Sequence, residues 1–184
     1  MTEGIDWAPL IDSFASANWT AILVALISGV VAIYGPTRLW RKQSKRESES
    51  VRASLIAEIA ALVDIVELRR FLPALREKQA LLAARQTAIG AFRRDPESYE
   101  VRIDSQFNRV YQASVTKLGM LTAEEARQIV RFHQLADSVR LDVIPGGDLA
   151  TGTDSAEKFG AAADLLEMAL VIGHALVDSK QSGS

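Results

Sequence analysis

The chain has 184 residues, 21 basic and 23 acidic side chains, a formal net charge of −2, and no cysteine. That length allows one domain with its own core and a further short segment. The lack of cysteine excludes disulfides and thiolate metal sites and is typical of a reducing compartment. The slightly acidic balance gives no support to nucleic-acid binding.

The amino-terminal residues 1–17 contain Glu3, Asp6 and Asp12 but no lysine or arginine. We expect them to form a tail on the extracytoplasmic side of a membrane. Apolar residues at near-helical spacing favour a short helix lying on the bilayer surface, and a frayed terminus is the alternative. These apolar residues are Ile5, Trp7, Leu10, Ile11 and Phe14.

An uncharged run from Ser13 to Thr37 follows this tail. About 20 helical residues cross a hydrocarbon core, so the run predicts a transmembrane helix over residues 18–37. Trp19, Tyr34 and Trp40 are placed to act as aromatic anchors at the two membrane interfaces. A buried helix of a soluble core is the less favoured alternative, since core helices rarely lack a polar face for so long.

The juxtamembrane segment 38–46 holds five basic residues and no acidic one: Arg38, Arg41, Lys42, Lys45 and Arg46. Basic residues resist translocation, so we expect the amino terminus outside and the rest of the chain in the cytoplasm. The expected location is a bacterial inner membrane, crossed once. The same residues can contact anionic lipid headgroups. A cleaved signal peptide fits poorly because its basic residues precede its apolar stretch.

Small residues recur at steps of four along the predicted span, at Ala17, Ala21, Ala25 and Gly29. Helices associate in lipid where small side chains let the backbones approach closely. This stripe therefore predicts a helix–helix interface and a homo-oligomer.

Residues 47–178 predict a cytosolic bundle, which with the span makes an all-α protein. The periodicity of apolar residues indicates about four to five helices, with a break near Pro73 and a cap at Thr122. The predicted segments are Glu47–Leu72, Ala74–Phe92 (with the first as either a bent stalk or a hairpin), Ser98–Lys117, a helix from Thr122 to Pro145, and a last helix after Ser155. A polar loop before Thr153 and a disordered tail over 179–184 complete the prediction.

The block FNRVYQASVTKLGMLTAEEARQIVRFH, from Phe107 to His133, joins two of these helices through an LG-x-L turn. It resembles a recurring helix-turn-helix block of small bacterial single-span membrane proteins. The resemblance covers about 27 residues, and His133 departs from it by replacing a tyrosine. It implies a membrane location and a helical fold, with Gly119 ending the first helix at a positive φ. It implies no reaction.

The histidines offer little catalytic chemistry. His133 and Asp137 are four residues apart and share a helix face, which predicts a surface pair more readily than a general base. His174 is expected to be packed or half exposed. Metal-ligand spacings and phosphate-binding loops are missing, and Arg69-Arg70 and similar pairs are interpreted as solvated charges. We therefore expect no metal, no cofactor and no enzymatic activity.

The sequence favours a membrane-anchored helical interaction, scaffold or regulatory protein. Its expected partners are the lipid bilayer, a second copy of itself and an unidentified protein. The alternative is an effector whose oligomerised spans open or depolarise the membrane when the cytosolic bundle is triggered.

Overall fold

The computed structural model describes the backbone of residues 19–87 and 95–181 and the side chains of residues 42–87 and 95–179. Its regular structure there is helical, without a strand, so the predicted all-α class is confirmed. The helices are α1 (Trp19–Leu68), α2 (Phe71–Thr87), α3 (Arg109–Ser114), a 3-10 helix (Val115–Met120), α4 (Ala123–Val143), α5 (Asp148–Thr151) and α6 (Ala156–Gln181). The chain divides into two units, Met1–Arg46 and Glu47–Ser184.

The predicted span, residues 18–37, is helical from Trp19 onward as part of α1. Its side chains and the predicted tail 1–17 lie outside the described residues. Among the described residues, the helix long and apolar enough to cross a membrane is Ala156–Ser179, near the other end of the chain. The structure therefore does not support the amino-terminal placement of the span, which stays a prediction.

Within the unit Glu47–Ser184, the second part of α1 and the helix α2 form one bent rod that packs antiparallel along α6. Successive residues of the rod contact successively earlier residues of α6. Arg52 contacts Ser179, Val63 packs near Gly173, and Arg76 pairs with Glu167. The hairpin alternative is therefore wrong. The bend lies at Arg69–Arg70, where Arg70 adopts a left-handed φ of 56°, and Pro73 falls in the first turn of α2, where no backbone donor is needed.

The core consists of two clusters, one along each half of α6. The first is built around Phe159, Ala163 and Leu166, which pack with Leu75 and Val139. The second brings Leu55 and Ile59 of α1 against Ile129, Phe132 and Ala169. At Gly173 a Cβ atom would lie 2.6 Å from Val63 Cγ2, so only glycine allows α6 to approach α1 this closely.

The predicted helix over Ser98–Lys117 is wrong in its first half. Residues 98–104 are extended, and their amides bond to distant carbonyls: Tyr99 N to Leu149 O at 2.8 Å and Val101 N to Val143 O at 2.8 Å. The alternation of half-buried Tyr99, Val101 and Ile103 with exposed neighbours is the period of an extended chain. The predicted polar loop before Thr153 likewise contains α5, whose Leu149 is 1% exposed.

The turn between α3 and α4 follows the prediction only in part. Thr122 caps α4 as expected, since its Oγ1 accepts a hydrogen bond from Glu125 N at 3.2 Å. Gly119, however, lies inside the 3-10 helix rather than at a left-handed helix end, and the expected positive φ is wrong. At the other end of the chain, α6 extends to Gln181, into the segment predicted to be a disordered tail.

Candidate functional site

The structure describes only some of the residues predicted to lie in the membrane or at its surface. The side chains of Ala17, Ala21, Ala25, Gly29, Trp19, Tyr34, Trp40, Arg38 and Arg41 lie outside the described residues. The remaining members of the basic segment, Lys42, Lys45 and Arg46, are exposed. Contacts with anionic lipid headgroups require such exposure. The contact with lipid itself stays a prediction.

A cavity of about 270 Å³ separates the two core clusters. Its wall takes Val63, Phe132 and Ala169 from one cluster and Leu75 and Leu166 from the other. The cavity lies at the bend of the α1–α2 rod, since residues from both ends of the bend line it. The bend therefore interrupts the packing along α6 and leaves this space unfilled.

Two alanines and the extended segment 98–104 form part of the wall of this cavity. Ala136 of α4 and Ala169 of α6 contribute only a methyl group each to the wall. The extended segment brings Tyr99, Val101 and Ile103 across the opposite side. Burial raises the pKa of the Tyr99 hydroxyl, as an apolar setting should. The interior is thus suited to hydrocarbon rather than to a polar molecule.

Charged side chains also line the cavity, and they are mainly basic. Arg69, Arg102 and Arg140 contribute three guanidinium groups, and Asp104 contributes one carboxylate. Arg69, Arg102 and Asp104 belong to exposed residues, so they mark the opening rather than the closed wall. Sequence reasoning interpreted Arg69 as a solvated charge and did not single out Arg102. The missed signal was the position of Arg102 between the alternating apolar residues.

Each of these four groups has a different set of partners. The Nε of Arg140 bonds to Asp137 Oδ1 at 2.8 Å, and its guanidinium carbon lies 5.5 Å from the Phe107 ring centroid. The Asp104 carboxylate accepts a hydrogen bond from Gln106 N at 2.8 Å, which fixes a local turn. Arg69 and Arg102 form no ion pair with the residues that the structure describes.

His133 is not the surface residue that the sequence predicted. It is 2% exposed, stacks on Tyr111 with ring centroids 4.0 Å apart, and meets Phe132 edge to face at 5.2 Å. Neither ring nitrogen has a hydrogen-bond partner among the described residues. Burial lowers the pKa of His133 to about 4, which keeps the ring neutral at physiological pH. Asp137, its expected partner, pairs with Arg140 instead.

Glu58 of α1 is the charged group nearest to His133, with 3.9 Å between Glu58 Oε2 and His133 Nε2. Its two carboxylate oxygens accept hydrogen bonds from Val110 N at 2.8 Å and Tyr111 N at 2.9 Å. Those amides belong to the first turn of α3, which has no cap from its own Asn108. Glu58 therefore caps α3 from another helix, a structural use of the carboxylate.

His174 is half exposed, as expected, and its Nε2 lies 3.0 Å from Glu67 Oε1. The part of the chain with described side chains contains no group of three or more residues able to hold a metal ion. Comparisons with protein families, with curated proteins and with solved structures each find no match. The cavity lined by Arg69, Arg102 and Arg140, called here the arginine-rimmed cavity, is therefore the candidate site on its geometry alone.

Proposed function

We propose that the protein is a single-pass membrane-anchored module whose helical bundle acts by binding rather than by catalysis. The anchor is the uncharged segment 18–37, with the amino terminus outside and the bundle in the cytoplasm. The basic segment 38–46 sets this orientation. Binding by the bundle uses the arginine-rimmed cavity.

The charge pattern of the sequence carries the proposal. No side chain that is charged at neutral pH occurs from Ser13 to Thr37, and five basic residues follow within nine positions. A charge at the centre of a membrane helix costs about 3 kcal/mol, so a charge-free run of this length is the composition that a bilayer selects. In the bundle, by contrast, the buried His133 is neutral and Glu58 is used as a cap, which leaves binding as the better supported role.

The anchor is tested by expressing the full chain in bacteria with an epitope tag after Ser184. We expect the protein in the membrane pellet after ultracentrifugation, resistant to alkaline carbonate and released by detergent. We also expect the tag to resist protease added to spheroplasts and to be digested once the membrane is lysed. A protein that stays in the soluble fraction, or a tag digested in intact spheroplasts, would overturn the proposal.

We further propose that the stripe Ala17, Ala21, Ala25 and Gly29 holds two copies together in the bilayer. Gly29→Leu would keep the span apolar but prevent close backbone approach. We expect it to reduce cross-linking between differently tagged copies, whereas Val30→Leu, one position along, should have little effect. Equal cross-linking by both variants would argue against this interface. Loss of membrane potential on expression, relieved by Gly29→Leu, would instead favour the effector alternative.

A further inference from the structure

The apolar cavity is a partly open cleft rather than a sealed void in the core. Protein interiors are packed like organic crystals and contain few voids larger than a water molecule. An engineered apolar void of about 150 Å³ in another protein already binds benzene. The cavity here measures about 270 Å³, so it has room for more hydrocarbon than a single aromatic ring. It lies at the bend and is lined by residues of both core clusters.

The opening of the cavity carries an excess of positive charge. Three arginines and one aspartate line it, and the Asp104 carboxylate accepts a hydrogen bond from the backbone amide of Gln106. Arg140 is held by Asp137, while Arg69 and Arg102 lack an acidic partner within the described part of the chain. Elsewhere in the bundle, Arg52 pairs with Glu125 and Arg76 pairs with Glu167. The two unpaired guanidinium groups at the opening favour an anion from outside the chain.

We propose that this cavity binds a single-chain anionic amphiphile. The alkyl chain fills the apolar interior, and a carboxylate or phosphate headgroup pairs with Arg69 and Arg102. The inference names the ligand class of the binding function proposed above and rests on that function. It does not rest on the anchor, although a protein held at a bilayer lies beside the source of such molecules.

The test uses the full chain in phosphatidylcholine nanodiscs with dansylaminoundecanoate as a fluorescent probe. We expect a saturable, blue-shifted signal above the linear background from probe dissolved in lipid. Dodecanoate and dodecyl phosphate should both displace the probe, and their relative strengths distinguish a carboxylate from a phosphate source. Dodecanol, which has the same chain without the charge, should compete about tenfold more weakly.

Two matched pairs of substitutions separate the headgroup contacts from general electrostatics. Arg69→Gln with Arg102→Gln should weaken probe binding about tenfold. Arg109→Gln with Arg131→Gln removes the same charge from exposed residues that do not line the cavity, and binding should be unchanged. Dodecanol competition should be the same in both variants, because the alcohol makes no ion pair.

Filling the cavity tests the site of the alkyl chain. Ala136 is only half buried and lines the void, so Ala136→Phe should occupy it with little strain. We expect this variant to lose the saturable signal and the rise in unfolding temperature that dodecanoate gives the native protein. Should Ala136→Phe fail to fold, the arginine pairs still decide the question.

A signal that rises linearly with probe, or equal binding by both double arginine variants, would overturn the proposal. Dodecanol binding as tightly as dodecanoate would also overturn it, since the headgroup would then contribute nothing. Failure of this binding test leaves the cell-fractionation result untouched, so the two proposals can fail separately.

Discussion

Two long apolar segments of this chain differ in where their charged residues lie. Residues 18–37 contain no charged side chain, whereas α6, whose most apolar 18-residue window has a mean hydropathy of 1.6, carries Asp164 and Glu167 at exposed positions. Both carboxylates lie 2.7 Å from Arg76. Phe159 and Ala163 on the other side of α6 are fully buried by the bundle. Length and apolarity alone therefore do not separate a core helix from a candidate membrane helix, and the two segments differ in the charges that they carry.

The largest effect is expected from placing one charge in each of the two segments, which tests the comparison directly. Leu26→Arg puts a guanidinium near the middle of residues 18–37, where it costs about 3 kcal/mol in a bilayer. We expect this variant to leave the carbonate-resistant membrane fraction. Val171→Arg puts the same group on α6, at a side chain whose residue is 64% exposed, and should leave both fractionation and unfolding unchanged.

The opposite outcome has an equally clear meaning. Release of the protein by Val171→Arg, with no response to Leu26→Arg, would make α6 the membrane segment and would contradict the orientation proposed here. The measurement is the ratio of pellet to supernatant after carbonate extraction, with wild-type protein as the reference.

A second prediction concerns the bundle, which buries an imidazole, a group that ordinarily titrates near physiological pH, whereas the uncharged run contains no histidine. The pKa of His133 falls from 6.5 in the unfolded chain to about 4 in the folded protein. The unfolded state therefore binds the proton first on acidification. The stability contributed by the neutral ring is complete above pH 6.5 and is lost as the pH falls towards 4, on the order of 3 kcal/mol in total.

Urea unfolding of the detergent-solubilised chain, followed by far-ultraviolet circular dichroism across this pH range, measures the effect. Subtracting the same curve for His133→Phe removes the contribution of the carboxylates, which also titrate on acidification. We expect the difference between the two proteins to favour the phenylalanine variant increasingly as the pH falls. Parallel curves would mean that His133 is not held neutral by burial.

The smallest predicted effect concerns the cap that α1 supplies to α3. Glu58→Ala should leave the amides of Val110 and Tyr111 without their carboxylate partner and destabilise the bundle by about 2 kcal/mol. Glu67→Ala, on the same helix, breaks an exposed pair with His174 and should cost at most about 0.5 kcal/mol. The two urea midpoints give the comparison, and equal midpoints would show that water satisfies the α3 amides.

Local sequence signals predicted several helix starts and breaks in the bundle. Thr122 begins α4 with the expected cap, and Pro145 and Gly146 follow its end. The break near Pro73 was predicted correctly, but its position was not. The chain turns at Arg69–Arg70, because proline is tolerated in the first turn of a helix and therefore marks the start of α2. Such features depend on a few neighbouring residues, which the sequence displays.

The candidate site was not predictable in the same way. The sequence predicted a surface position for His133. Its burial comes from Tyr111, twenty-two positions earlier in the chain, and from the helix α1 that carries Glu58. The cavity depends on a bend in one rod, two alanines on two other helices and an extended segment. Nothing in the local pattern of any one of these reveals the space that they enclose together.

The sequence by itself determined the helical class, the charge-free run with its basic flank, and the bounds of α4, because these follow from composition, periodicity and capping within a few residues. Only the tertiary structure decided that residues 98–104 are extended, since the amides of Tyr99 and Val101 find partners at Leu149 and Val143. It likewise decided which arginines line the cavity and that His133 is buried. These outcomes depend on backbone partners and neighbouring side chains that are distant in the chain, and such contacts exist only once the helices have packed.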